Sequence, residues 1–269
     1  MDETAFDSQE SREIVSRRAM LRQTVAGVGV LGMLGSSRAF AAPMQAPPVR
    51  IRFWSEGTAP RNIYPDDVDG ALGDDFRKRP QFQVSQARLS DPDHGLSDAA
   101  LDATDVLVWW GRLRHDELAD ARSQAIVDRV KAGRLGFIAL HASHACKPFR
   151  ALMGTACEPD SWRDDGQPEH IQVMAPDHPI AQGVAPFTIP KTAMYTEPFA
   201  VPTPETVVFV SSWDGGETFR SGLTWTIDKG RVVYFRPGHD AFPILFHPTV
   251  RQVIANSALW AANGKRGHS

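Results

Sequence analysis

Over the first half of the chain beyond residue 42, short apolar runs alternate with stretches of helical period. Val49-Arg50-Ile51-Arg52-Phe53-Trp54 predicts a strand, and Val68, Ala71, Leu72 and Phe76 then recur at the spacing of one helix face. Gln81 to Leu89 predicts a second strand. Val106-Leu107-Val108-Trp109-Trp110 and Gly136-Phe137-Ile138-Ala139-Leu140 are unbroken apolar runs, the pattern of strands covered on both faces of a parallel sheet. Between them, Asp116 to Ala132 predicts an amphipathic helix closed by Gly133, where a left-handed cap is wanted. Lys147 to Met153 predicts a shorter helix. This βαβα order implies a doubly wound α/β domain with a mainly parallel sheet.

The second half is less regular and richer in Pro and Gly. Val207 to Ser211, Leu223 to Ile227 and Arg231 to Phe235 read as strands, the last two joined by a turn at Asp228-Lys229-Gly230. A closing helix begins with Pro248 in its first turn and carries Val250, Val253, Ile254, Ser257 and Trp260 along one face. No internal repeat or linker interrupts residues 42–269, so they are expected to form one domain.

Residues 1–41 follow a different logic. Arg17-Arg18 stand ahead of a weakly apolar run from Val25 to Leu34, too short to span a bilayer, followed by Ala39-Phe40-Ala41, a small-x-small cleavage pattern. The segment is expected to be a twin-arginine signal peptide delivering the protein to the periplasm, with no membrane span left after cleavage. The chain holds 29 Lys and Arg against 32 Asp and Glu. That balance gives neither the basic footprint of a nucleic-acid binder nor a polybasic membrane patch. Two cysteines, Cys146 and Cys157, could pair in an oxidising compartment, and two thiols alone make a poor metal site.

In an open α/β sheet, ligands bind beyond the carboxyl ends of the strands. Glu56 follows the first strand, Trp109 and Trp110 close another with His115 beyond them, His141 and His144 follow the next, and His239-Asp240 follow the last. These groups are expected to converge in one cleft. His141-x-x-His144 suits a shared divalent metal, zinc or manganese, with His239 as a further ligand; the spacing equally fits two metal-free imidazoles. Adjacent residues on a strand face opposite ways, so at most one of Trp109 and Trp110 meets a ligand. His178, before Pro179, reads as a turn residue. Neither a Gly-x-Ser-x-Gly elbow nor a phosphate loop is present: the elbow position reads His141-Ala142-Ser143-His144, and Gly215-Gly216 lacks the strand, lysine and helix of a nucleotide motif.

A set of ordered motifs then carries a resemblance. Asp91-Pro92-Asp93-His94-Gly95-Leu96, Trp109-Trp110-Gly111 with His115-Asp116-Glu117, Leu140-His141-Ala142-Ser143-His144, Leu152-Met153-Gly154-Thr155, Trp162-Arg163, His178-Pro179-Ile180, Met194-Tyr195-Thr196-Glu197-Pro198-Phe199, Gly215 to Gly222 and Tyr234-Phe235-Arg236-Pro237-Gly238-His239 resemble the ThuA-like family. The resemblance implies a flavodoxin-like layered α/β fold similar to class I glutamine amidotransferases, without their catalytic cysteine. It also implies a part in using trehalose and related disaccharides, beside a sugar oxidoreductase that makes 3-keto sugars. Two positions depart from the family pattern: Arg112 stands where a second histidine is frequent, and Asp240 where glutamate is usual. A metal site built on them would be altered.

Two functions are consistent with these residues. One is an enzyme acting on a glycoside or its keto derivative as hydrolase, lyase or isomerase, with His141, His144, His239 and Glu197 as acid, base, metal ligand or carboxylate partner. The other is a non-catalytic sugar-binding accessory protein. The candidate sugar contacts are Glu56, one of Trp109 and Trp110, His115 and Arg236; in the accessory reading that tryptophan stacks on the ring while Arg236 and Glu197 bond hydroxyls.

Overall fold

The computed structural model describes residues 46–266, so the expected signal peptide lies outside the described residues. The order is β1 (Val49–Ser55), α1 (Asp67–Phe76), β2 (Phe82–Arg88), α2 (Asp98–Asp102), β3 (Val106–Trp110), α3 (Asp120–Lys131), β4 (Gly136–Leu140), α4 (Lys147–Met153), β5 (Trp162–Val173), β6 (Phe187–Tyr195), β7 (Thr206–Ser212), β8 (Thr218–Ile227), β9 (Gly230–Phe235) and α5 (Pro248–Arg266). The strands form one nine-stranded sheet in the order β2-β1-β3-β4-β9-β8-β7-β5-β6.

From β2 to β9 every pairing is parallel. Beyond β9 the sheet continues antiparallel through β8, β7, β5 and β6. The parallel half is the one legible from apolar runs, since it is covered on both faces. Ile51, Phe53, Val108, Trp110 and Ile138 pack with Leu72 and Phe76 of α1 and Val250, Val253 and Ile254 of α5. Trp54, Leu107, Trp109 and Phe137 pack on the other face with Ile126, Val127 and Val130 of α3 and Phe149 and Leu152 of α4. Consecutive strand residues therefore alternate between two helix layers, as a period of two requires.

One expectation needs correction. The helix expected from Asp116 begins at Asp120: His115–Glu117 is a short 3-10 turn, and Ala119 is extended. The buried Leu118 explains the break, because it turns into the core between the two segments. β5 and β6 have no apolar signature. The first seven residues of β5 are exposed or half-exposed, and β6 carries Pro190 and exposed Lys191 on the sheet's edge, residues suited to discouraging further pairing. Gly133 caps α3 in the left-handed region, φ +70°, as its position predicts.

Candidate functional site

The parallel strands end level. Ser55 is opposite Trp110, Trp110 opposite Leu140, and Leu140 opposite Phe235. The residues that follow, Glu56, Gly111, His141 and Arg236, therefore emerge side by side at the carboxyl edge. His141 leaves β4 with φ +53°, a left-handed backbone that non-glycine residues adopt rarely. Its turn occupies the strand-end position at which strained backbone serves to present a functional side chain.

A cavity of about 310 Å3 opens here, lined in part by Arg112, His115, His141, His144, Tyr195 and His239. Its size is at the lower end of the roughly 300–1,000 Å3 of small-molecule sites. His141 and His239 have ring centroids 5.0 Å apart, and the His141 ring stacks on Tyr195 at 5.5 Å. His141 Nδ1 is 3.2 Å from the Arg236 carbonyl. A carbonyl can only accept, so Nδ1 carries a proton and, in the neutral ring, Nε2 keeps its lone pair. His239 has the opposite tautomer: Nδ1 accepts from the Ala241 amide at 3.0 Å, leaving Nε2–H to face Asp164 Oδ2 at 3.2 Å. Burial holds His141 well below the ordinary histidine range, aided by neighbouring His239 and Arg236. Burial also lowers His239, opposed by Asp164 and Asp240, lowers His115 against the pull of Glu56, and brings His144 down to about 4. The cluster is thus neutral at neutral pH.

The expected residues divide. His115, His141, His144 and His239 meet at the cavity; the others do not. Glu56 is buried and receives the Leu113 and Arg114 amides at 2.8 and 3.0 Å, with His115 Nδ1 3.4 Å away. It shapes the loop after β3 instead of contacting a ligand. Trp109 stacks on Trp54 with centroids 3.6 Å apart, and Trp110 donates its indole N–H to the Gly238 carbonyl at 2.9 Å. Each fills one of the two core layers, so neither can stack on a sugar. Arg236 is fully buried in an ion pair with Glu169, its guanidinium over the rings of Tyr195 and Trp213 at 5.2 and 5.1 Å. Glu197 binds Arg220 at 2.8 Å and the Phe199 amide at 2.7 Å, joining the end of β6 to β8 away from the cavity lining. The expected placement of Glu197 in the same cleft is therefore corrected.

Asp164, at the start of β5, stands as the carboxylate partner of His239 in place of Glu197. Trp162 lines the cavity mouth with 64 % of its surface exposed, whereas the other six tryptophans are buried. The available signal was an aromatic residue embedded in the polar run Ser161-Trp162-Arg163-Asp164-Asp165, with no apolar period to draw it into a core. Arg112 lines the same wall, its Nη1 3.2 Å from Asp240 Oδ1. The two departures from the family pattern are thus in contact.

The imidazoles nearest to sharing a metal are His141 and His239. The His144 ring instead meets Tyr195, Phe199 and Tyr234 edge-on, and among the described residues no three His, Cys, Asp or Glu side chains form a ligand group. Cys146 and Cys157 are separate buried thiols. His178 accepts from the Ile180 amide at 3.2 Å, the turn role expected of it. Among the described residues no helix is long and apolar enough to cross a membrane.

The ThuA family, described as trehalose utilisation, matches residues 56–261. Among solved structures, a ThuA-like protein from Bacteroides uniformis is similar at 15 % identity and a TM-score of 0.61, covering 82 % of this chain and 95 % of its own. A second, from Parabacteroides merdae, is similar at 14 % identity and a TM-score of 0.62, with 81 % and 91 % covered. A glutamine amidotransferase from Thermotoga maritima matches at 12 % identity and a TM-score of 0.44, over 81 % of this chain and 97 % of its own. No curated protein matches the sequence.

Proposed function

The chain belongs to the ThuA family of trehalose utilisation, and from that premise we propose that its histidine cavity binds a sugar, a glycoside or its keto derivative, and processes it by proton transfer. One observation carries the reading: the neutral His141 keeps Nε2 unprotonated and, among the described residues, without a protein partner in a cavity edged by the exposed Trp162. Nδ1–H on a backbone carbonyl fixes the tautomer, the arrangement that prepares an imidazole as a general base. His239, with Nε2–H beside Asp164, is placed to return a proton or bind a hydroxyl. Trp162 offers the flat apolar face on which a pyranose ring packs.

The test is to incubate purified protein with trehalose and with 3-keto-trehalose, each with and without added zinc or manganese. The reading expects turnover that is lost in both His141→Ala and His239→Ala. Metal dependence would assign the two imidazoles a shared ion. Saturable binding without turnover would support the accessory role instead, a reading favoured by the placement of Trp162 outside the imidazole cluster.

The proposal extends to location. Export through the twin-arginine route would bring the protein to periplasmic sugars and beside a sugar oxidoreductase. Replacing Arg17 and Arg18 by lysines should hold the precursor in the cytoplasm, and undiminished periplasmic delivery would refute it.

A further inference from the structure

We propose that Arg112 is a catalytic residue whose guanidinium holds an oxyanion, so that the sugar processed at this site carries a carbonyl group beside the carbon His141 deprotonates. The inference rests on the proton-transfer reading above and narrows its substrate class. Three features of the cavity wall support it.

First, burial keeps His141 neutral, and its one ring proton is committed at Nδ1 to the Arg236 carbonyl, which leaves the lone pair on Nε2. A neutral imidazole removes a proton from carbon only when the electron pair left behind can move into an adjacent carbonyl whose oxygen is stabilised. Second, Arg112 is the one Lys or Arg among the described residues lining the cavity. Asp240, its side chain 3 % exposed, engages Nη1 alone, at 3.2 and 3.4 Å from its two oxygens. Nε and Nη2 have no protein partner among the described residues, and the side chain is 30 % exposed on the cavity wall. A guanidinium anchored on one nitrogen and open on the others is a preorganised donor. Third, cleavage of an unactivated glycoside calls for two carboxyl groups flanking the bond. The described lining offers Glu158, which is ion-paired with Arg150.

The step balances without a further reactant. The C–H proton next to the carbonyl moves to His141 Nε2, the C–H electron pair becomes the carbon–carbon π bond of an enolate, and the carbonyl π pair moves to oxygen. That oxygen then accepts N–H bonds from Arg112. Return of a proton to carbon completes exchange or isomerisation.

The experiment follows deuterium incorporation from D2O into 3-keto-trehalose by proton NMR, alongside trehalose as the carbonyl-free probe. The wild-type protein is expected to label the carbon beside the keto group and to leave trehalose unlabelled. Arg112→Gln should slow labelling by roughly 10²–10³-fold, the loss typical of one oxyanion donor, while Arg112→Lys keeps the charge and recovers part of the rate. Circular dichroism and thermal melting check that both variants fold. Labelling by Arg112→Gln within about threefold of wild type, or conversion of either sugar without labelling, would overturn this assignment and leave the carbohydrate reading standing. If neither sugar binds or changes, both fall.

Discussion

Acidification should destabilise this fold through His144, and the size of the effect can be worked out. The ring is 6 % exposed, packed edge-on against Tyr195, Phe199 and Tyr234, and burial lowers it from 6.5 to about 4. A histidine depressed in the folded state favours protonation of the unfolded chain. Its contribution to stability is therefore complete above the unfolded value near 6.5 and is lost as the pH falls towards about 4. At pH 5 the unfolded histidine is almost fully charged and the folded one almost fully neutral, so this one group costs about 2 kcal/mol relative to pH 7. Replacing His144 by Phe keeps a ring of similar size against the same aromatic neighbours and removes the titration. Urea unfolding at pH 7 and pH 5, followed by tryptophan fluorescence, gives the two stabilities for each protein. The variant should lose about 2 kcal/mol less than wild type between these pH values. Equal losses in the two proteins would refute the assignment of a neutral, desolvated His144.

Three other outcomes follow from the geometry. Trp162→Ala should leave stability within about 0.5 kcal/mol of wild type, as for an exposed residue, while weakening sugar binding by roughly 1–2 kcal/mol, measured by calorimetry; unchanged affinity would remove Trp162 from the site. Because Trp162 is the exposed tryptophan and the other six are buried, iodide quenching of fluorescence should be relieved by a bound sugar and nearly absent in the variant. Glu197→Ala breaks the tie to Arg220 and the Phe199 amide, so it should lower the melting temperature and leave kcat close to wild type; a collapse of kcat with an unchanged melt would return Glu197 to the reacting centre. Trp109→Ala should cost about 3–5 kcal/mol in urea unfolding, the range for a buried large aromatic in a tightly packed layer, and a loss below about 1 kcal/mol would contradict its core role.

The parallel half of the sheet was legible because burial on both faces writes continuous apolar runs, as in Val106 to Trp110 and Gly136 to Leu140. The histidine cluster was legible for a related reason: strands that end level bring whatever follows them to one edge. What stayed hidden depended on contacts between distant segments. Arg236 reads as a substrate-facing cation until Glu169, 67 residues upstream, is found buried against it. Trp109 and Trp110 look like stacking platforms until Trp54 and the Gly238 carbonyl take them up. β5 is polar along most of its length, yet it carries Trp162 to the cavity and Asp164 to His239. No local period could announce that, since the buried residues of β5, Glu169 and Ile171, lie in its second half, and the register of the first half follows from β6.

A crystal structure of the protein with a bound, slowly processed sugar would show whether His141 faces the reacting carbon. A sugar ring is expected in the cavity between His141 and Trp162, with a sugar atom about 2.6–3.2 Å from His141 Nε2 and His141 Nδ1 still on the Arg236 carbonyl. A sugar bound elsewhere on the domain, or one in the cavity that leaves His141 Nε2 out of direct or one-water reach, would contradict it.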